Sequence, residues 1–435
     1  MTSLAAHHPA TVAELGQIVA AAYASARPLR IVGSGTWLDA GRAVPPAERL
    51  TVAALSGVVD YVPGDLTITV RAGTSLAHVA DVVARERQLL RLDPYGSANG
   101  TVGATVATAS CGPLAHARGT PRDIVLGLQA VTGTGETIRA GGRVVKNVAG
   151  FDLTRLFTGS WGTLGVIAEL SLRLHAMPEV DATWALRVPT APDALRDALR
   201  ALRAAPLAAL ALELVNAPLA HRLGLEAHPC VLVRCAGNAD AVRAQRRTLA
   251  HMGALVDAPA SVWSALRGVE PTAAWVLRLS ARPSELARIW DAAHRALPAA
   301  GTAWCHAGVD LGVVRAIVPH AEADAAAALA AARNDAARDD PDAAVTAMID
   351  VARRERAACI GERLPRRCWE HLGGGAMSHP LGARVRAAFD PRGILNPGIL
   401  GTVSHHTAAF AEQHVGSRAG TQGGGFAPAA AEPTG

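Results

Sequence analysis

The stretch from Asp93 to His175 constrains this chain more than any other. Its first third, DPYGSANGTVGATVATASCGP, sets Gly100, Gly103, Ala104, Ala107 and Gly112 among Thr101, Thr105, Thr108 and Ser110. With so few side chains in the way, the backbone can lie against a ligand, and its N–H groups can reach phosphate oxygens. The middle third reads as a hairpin: Ile124 to Val131 and Thr137 to Arg139 flank a Thr132-Gly133-Thr134-Gly135 turn. The last third alternates, with Val166, Ala168, Leu170, Leu172 and Leu174 on one face and Ile167, Glu169, Ser171 and Arg173 on the other. That pattern predicts a half-buried strand.

Among 42 lysines and arginines, lysine occurs once, at Lys146 inside Val145-Lys146-Asn147-Val148-Ala149-Gly150. An ammonium is a compact point donor and a guanidinium a broad planar fork, so a tight site can accept one and refuse the other. The neighbouring glycines make Lys146 a candidate ligand contact; on a solvated loop it would mean nothing.

A length of 435 residues allows two packed domains and extras. A formal charge of +5 suits an anionic ligand or partner, but aromatics are only 4% and no basic run is interleaved with them, which argues against nucleic acid. The densest basic stretch, Arg353 to Arg367, also carries acids and reads as a solvated face. Six cysteines lie scattered without a C-x-x-C pair, so neither an iron–sulfur cluster nor structural zinc is expected and no metal ligands are assigned. The N-terminus lacks the pattern of a signal peptide, and no apolar run is long enough to span a bilayer. The expected location is cytoplasmic.

In chain order, Thr11 to Tyr23 fits an amphipathic helix, and Leu29 to Val32 a strand running into Gly33-Ser34-Gly35-Thr36-Trp37. A strand feeding a Gly-x-Gly turn is a candidate pyrophosphate cradle. The next glycine is Gly41 and Pro45-Pro46 stops any long helix, so the nicotinamide-type fingerprint is absent. Leu66 to Ala72 reads as a strand with Leu66, Ile68 and Val70 inward, followed by a helix capped by Thr74 or Ser75. Asp152 is placed to cap Leu153 to Phe157. Past Pro178 the rhythm changes. Strands are expected at 207–214, 231–235, 275–280, 302–306, 313–318 and 345–351, and helices at 193–204, 239–251, 284–297 and 322–338. The fold class is α+β. Domains are expected at 1–177 and 178–400, and the Gly-, Ala- and Pro-rich remainder, 401–435, is expected to be disordered.

Taken together, the Gly33 to Thr36 loop, the small-residue segment and the run KNVAGFDLTRLFTGSWGTLGVIAEL resemble FAD-linked oxidases of the vanillyl-alcohol oxidase (p-cresol methylhydroxylase) type. More narrowly they resemble the smaller FAD-binding subunit of bacterial glycolate oxidases. The likeness is strong over residues 1–175, fainter from 176 to 388, and returns in FDPRGILNPGIL. It implies a two-subdomain FAD-binding domain followed by a sheet-and-helix substrate or cap domain. The backbone of Gly33, Ser34, Gly35, Thr36 and Trp37 and of Thr101, Val102, Gly103, Thr108 and Ser110 would hold the pyrophosphate. Gly165, Val166 and Ile167 would lie on the adenine side, with Lys146 as a further contact. The first loop offers Thr36 and Trp37 where covalently linked relatives have His, so the FAD is expected to be non-covalent. Cys111 and His116 beside the second loop are read as structural.

The same resemblance implies a larger homologous FAD subunit and an iron–sulfur subunit as partners, a small anionic 2-hydroxy acid as substrate, and association with the inner face of the membrane through those partners. Relatives that oxidise such acids carry a Gly-His-x-Gly-Asp-Gly-Asn-x-His segment; here Cys305 to Val313 keeps His306 and Gly308 but has Val309, Leu311 and Val313 at the other polar positions. Valine neither ligates a metal nor takes a proton, so catalytic residues stay unassigned. Two further readings remain open: a flavin-binding scaffold or relay, and an independent oxidase of another hydroxy acid or alcohol.

Overall fold

The hairpin expected in the middle of the chain belongs to a five-stranded antiparallel sheet. The computed structural model describes residues 5–142, 152–271, 274–297, 303–319, 341–372 and 379–401. Lys146, the helix expected at 322–338 and the tail beyond Gly401 lie outside the described residues. The chain opens with a small parallel sheet, β1 (Ala6–His7), β2 (Leu29–Val32) and β3 (Glu48–Thr51), in the order β1-β3-β2. The five-stranded sheet follows, from β4 (Val58–Val62), β5 (Thr67–Arg71), β7 (Val125–Thr132), β8 (Thr137–Gly141) and β9 (Gly165–Arg173), in the order β4-β5-β9-β7-β8. A two-residue pair, β6 (Gln88–Leu89) and β10 (His175–Ala176), lies outside it.

One face of this sheet buries Leu76, Val79 and Val83 of helix Leu76–Ala84 and Val102 and Val106 of helix Val102–Thr108. The other packs Leu15, Val19 and Ala22 of helix Val12–Ala24 against Val131, Val166 and Ala168. Thr11, Ser75, Thr101 and Asp152 each accept a hydrogen bond from the third residue beyond them, the N-cap geometry that starts these helices.

Two expectations about strand faces need correction. Thr67 and Thr69 are buried along with Ile68 and Val70, and Thr69 hydrogen-bonds Ser171 at 2.9 Å, so β5 is covered on both sides. In β9 the alternation is broken, because Gln129 pairs with Glu169 but Ala130 pairs with Ile167. The extra residue, Ala168, is a bulge. It sends Val166 and Ala168 to the face of the first helix, and Ile167, Leu170 and Leu172 to the opposite core.

The second half forms an eight-stranded antiparallel sheet in the order β14-β11-β13-β12-β16-β17-β15-β18. Its strands are β11 (Val180–Arg187), β12 (Ala209–Val215), β13 (Cys230–Gly237), β14 (Leu255–Asp257), β15 (Trp275–Ser280), β16 (Trp304–Gly308), β17 (Val313–Val318) and β18 (Ala358–Arg363). Helices Pro192–Ala204, Ala239–Ala250 and Leu286–Ala296 cover one face, as expected. Residues 345–351, expected as a strand, instead lie in helix Pro341–Arg354. Val345, Met348, Ile349 and Ala352 are buried from it at helical spacing. The basic stretch from Arg353 is not wholly solvated either, since Arg363 is buried in β18.

After helix Pro380–Phe389 the chain returns to the first half. Asp390 accepts hydrogen bonds from the Ile394 and Leu395 amides at 3.0 and 2.8 Å, and Leu395 bridges Leu29 in parallel. Phe389 meets Phe157 edge-on at 5.4 Å. Residues 389–401 therefore act as a strap across β2.

Candidate functional site

The two glycine-bearing loops meet. Ser34 Oγ donates to the Asn99 carbonyl at 2.9 Å, and a Cβ on Gly33 would overlap Thr101 Oγ1. Gly35 has φ +81°, a left-handed conformation that disfavours side chains. Between the loops runs a cleft enclosing about 980 Å³, part of it open to solvent. Gly33, Ser34, Gly35, Thr36, Trp37, Thr101, Gly103, Thr108, Ser110, Gly165, Val166 and Ile167 all line it. Val102 does not; its side chain is wholly buried among the sheet residues and its amide donates to the Thr74 carbonyl at 2.9 Å. Lys146 falls outside the described residues.

Among the described residues, the amides of Ser34, Gly35, Thr36 and Trp37 donate to no protein acceptor, and neither does that of Thr101. Free amides along a glycine-bearing turn form a concavity suited to phosphate oxygens. Gly103 serves a different purpose. Its amide donates to the Ala72 carbonyl at 2.8 Å, and a Cβ there would lie 2.6 Å from Ala72 Cβ. It allows helix Val102–Thr108 to rest on the strand end, which keeps Ala104, Thr105 and Thr108 facing the cleft.

Sequence reasoning assigned no site role to Asn396, which lines the cleft from the returning strap. Its Oδ1 accepts from the Ile31 amide at 2.9 Å and its Nδ2 donates to the Trp161 carbonyl at 2.8 Å. Trp161, at φ +54°, stacks on Trp37 with centroids 6.1 Å apart. The strap thus fixes β2 and the Trp161 turn together. The only signal in the sequence was the rigid DPRGILNPG composition.

One end of the cleft closes on Tyr95, which carries the site into the eight-stranded sheet. The Arg315 guanidinium lies over the Tyr95 ring at 4.0 Å, and His306 tilts against it at 5.4 Å. Burial, then the nearby Glu213 carboxylate, pushes the Tyr95 phenol well above its usual range, so it stays protonated. His306 Nδ1 lies 2.5 Å from Glu213 Oε1, while its buried Nε2 has no partner. Arg315 is fully committed: Glu270 stands 2.6 Å away on one side and Glu362 at 2.6 Å on the other. Arg363 approaches Glu270 at 3.4 Å and Asp39 at 3.4 Å, and Arg278 approaches Glu362 at 3.6 Å. Burial alone would raise the Glu362 carboxyl, but Arg315, Arg278 and Arg363 outweigh it and hold it below the usual range. Cys111, pushed up to about 11 by burial, stays a thiol at neutral pH, and neither it nor any histidine lines the cleft among the described residues.

The residues fit a long, doubly phosphorylated cofactor: unpaired amides at the middle, apolar walls, and an aromatic closure at one end. Residues 4–141 match the family model of the FAD binding domain. Over 162 residues the chain is 41% identical to the glycolate oxidase subunit GlcE of Escherichia coli, covering 37% of this chain and 45% of that protein. It is 35% identical over 154 residues to the glycolate oxidase subunit GlcD of Bacillus subtilis, covering 35% and 32%. With the D-lactate dehydrogenase of Archaeoglobus fulgidus it shares 33% over 189 residues, covering 43% and 42%. The chain thus spans less than half the length of the curated relatives it matches. In fold it is similar to p-cresol methylhydroxylase, with a TM-score of 0.69 and 17% identity over 92% of this chain and 88% of that one. Residues 4–141 are thus a FAD binding domain, and over 92% of its length the chain shares the fold of p-cresol methylhydroxylase.

Proposed function

We propose that this chain is the FAD-binding subunit of a glycolate oxidase complex. Glycolate would lose two electrons and two protons to give glyoxylate, and the electrons would leave through a separate iron–sulfur subunit, alongside a larger homologous FAD subunit. The observation that carries the reading is the cleft whose unpaired amides at Ser34 to Trp37 face the Thr101 to Ser110 segment. FAD, when bound there, supplies a two-electron acceptor. The amides of Ser34 to Trp37 and of Thr101 hold its pyrophosphate, Gly165 to Ile167 border its adenine side, and Tyr95 marks the flavin end. With no cysteine or histidine on the described cleft wall, the attachment is non-covalent. In this reading residues 1–177 are the FAD-binding domain, 178–400 the substrate or cap domain, and the protein works in the cytoplasm, reaching the inner membrane face only through its partners. Among the described residues no helix is long and apolar enough to cross a membrane.

A second reading is favoured by one observation. The guanidinium nearest the flavin end, Arg315, is already neutralised by Glu270 and Glu362. A carboxylate substrate arriving there would have to displace a buried carboxylate, which is unfavourable. On this reading the subunit relays electrons while its larger partner oxidises the hydroxy acid. Anaerobic mixing with glycolate separates the two. Bleaching of flavin in the isolated chain supports oxidation in this subunit, bleaching only in the assembled complex supports the relay, and no bleaching in either refutes the glycolate assignment.

A further inference from the structure

A second cavity adjoins the FAD cleft at Pro94 and Ser97, which line both. Arg91, Arg234 and Arg267 line it together with Asp93 and Asp181. Both acids are committed elsewhere. Asp181 clamps Arg234 through contacts of 2.9 and 2.6 Å, and Asp93 accepts from the Gly112 and Leu114 amides at 3.3 and 2.9 Å. Arg91 is only 6% exposed, its Nε is buried without an acceptor, and it forms no ion pair among the described residues. Arg267 forms none either.

A guanidinium stays charged inside a protein, and folding such a group away without a counter-charge is strongly unfavourable. Burial, reinforced by Arg118 and Arg234 and only partly offset by Asp181, pulls the Arg91 guanidinium down to about 10, so it still carries its proton at neutral pH. With three arginines and two carboxylates in its wall, the cavity carries one net positive charge. Apart from Ser97 the rest of the wall is apolar, chiefly Leu76, Leu90, Leu92, Leu114 and Leu210. An inorganic anion would satisfy the arginine and leave the leucines facing water; a carboxylate on a short hydrocarbon chain would satisfy both. We propose that this cavity is a second ligand site, separate from the flavin, that takes a small aliphatic monocarboxylic acid with its carboxylate on Arg91 and its chain along the leucines. The inference does not depend on the glycolate reading.

Titration calorimetry of the FAD-loaded full chain with hexanoate tests it, with hexanol and phosphate as probes lacking the charge or the chain. Hexanoate should bind saturably and both controls at least about tenfold more weakly, as expected when one charge-assisted contact or the apolar burial is missing. Arg91→Met should weaken hexanoate at least about tenfold, with Arg91→Lys intermediate. Leu210→Trp, which fills the cavity while keeping the arginine, should also abolish binding. FAD content should be unchanged in all three, so a failed fold or a misassigned flavin cleft shows itself separately as lost flavin. Without hexanoate, Arg91→Met should melt higher than the parent protein, because it removes an uncompensated charge; only the parent should gain from added hexanoate. Absence of saturable hexanoate binding, equal affinity in Arg91→Met, or a lower melting temperature for that variant would each overturn the proposal.

Discussion

Gly103→Ala isolates the contact that sets the floor of the flavin cleft. The new Cβ would lie 2.6 Å from Ala72 Cβ, 2.8 Å from its carbonyl oxygen and 3.1 Å from its Cα, whereas ordinary contacts begin at 3.4 Å. Helix Val102–Thr108 would have to retreat by about 0.8 Å, the shortfall at the closest of those contacts. The same retreat stretches the 2.8 Å bond from the Gly103 amide to the Ala72 carbonyl beyond hydrogen-bonding range. Overpacking costs about 1–3 kcal/mol. The unmade buried bond costs about 1–3 kcal/mol. Alanine's better helix propensity returns roughly 1 kcal/mol. The net is about 1–5 kcal/mol, or a melting temperature lower by roughly 1–6 °C for a chain of 435 residues. Because Ala104, Thr105 and Thr108 move with the helix, FAD should also bind about tenfold more weakly. Thermal unfolding and fluorescence titration of the apoprotein with FAD read the two effects. Ala72→Gly in the same chain removes the closest partner atom and should restore at least half of both losses. A Gly103→Ala protein that melts no lower than the parent and binds FAD equally well would refute the reasoning.

Two further outcomes are expected. Arg315→Met leaves Glu270 and Glu362 buried around an uncharged side chain, at a cost of about 3–5 kcal/mol in chemical denaturation; adding Glu270→Gln and Glu362→Gln should recover most of it, and an unaffected single variant would mean the three do not form one network. Burial, partly offset by the Leu114 amide, raises the Asp93 carboxyl to about 6 from an ordinary 3.8. A carboxyl raised in the folded state favours folding fully below pH 3.8, and that contribution is lost as pH climbs through 6. Over this window Asp93 should take away about 3 kcal/mol, which Asp93→Asn should largely abolish in unfolding measured at pH 4 and pH 7. An Asp93→Asn protein with the parent's pH dependence would assign that slope to other groups.

Much of the first half could be read from residue pattern alone, because its signals are local. The caps at Ser75 and Asp152, the Thr132–Gly135 turn and the two loops each depend on residues within a few positions of one another. What failed depends on residues far apart. The run of β-branched residues near Val345 looks like a strand, yet Val345, Met348, Ile349 and Ala352 have the spacing of a buried helical stripe. Ala168 bulges only because β7 and β9 pair out of step, which neither strand announces by itself. Gly103 looked like an open approach to the ligand, but its neighbour across the fold is Ala72 on the β5 side. The Arg315, Glu270 and Glu362 cluster is legible only once β17 is known to pair with β15 and β15 with β18. For the same reason Asn396 gave no hint that it would hold Ile31 and Trp161 from the other end of the chain.

The account stands on the main-chain amides of Ser34 to Trp37 and of Thr101 gripping a cofactor's pyrophosphate. Hydrogen exchange of the apoprotein against the FAD-loaded protein, read by mass spectrometry, addresses those amides themselves. Slowed exchange concentrated in peptides covering Ser34 to Trp37 and Thr101 is the predicted result. Exchange unchanged in both segments, with protection appearing elsewhere, would contradict it.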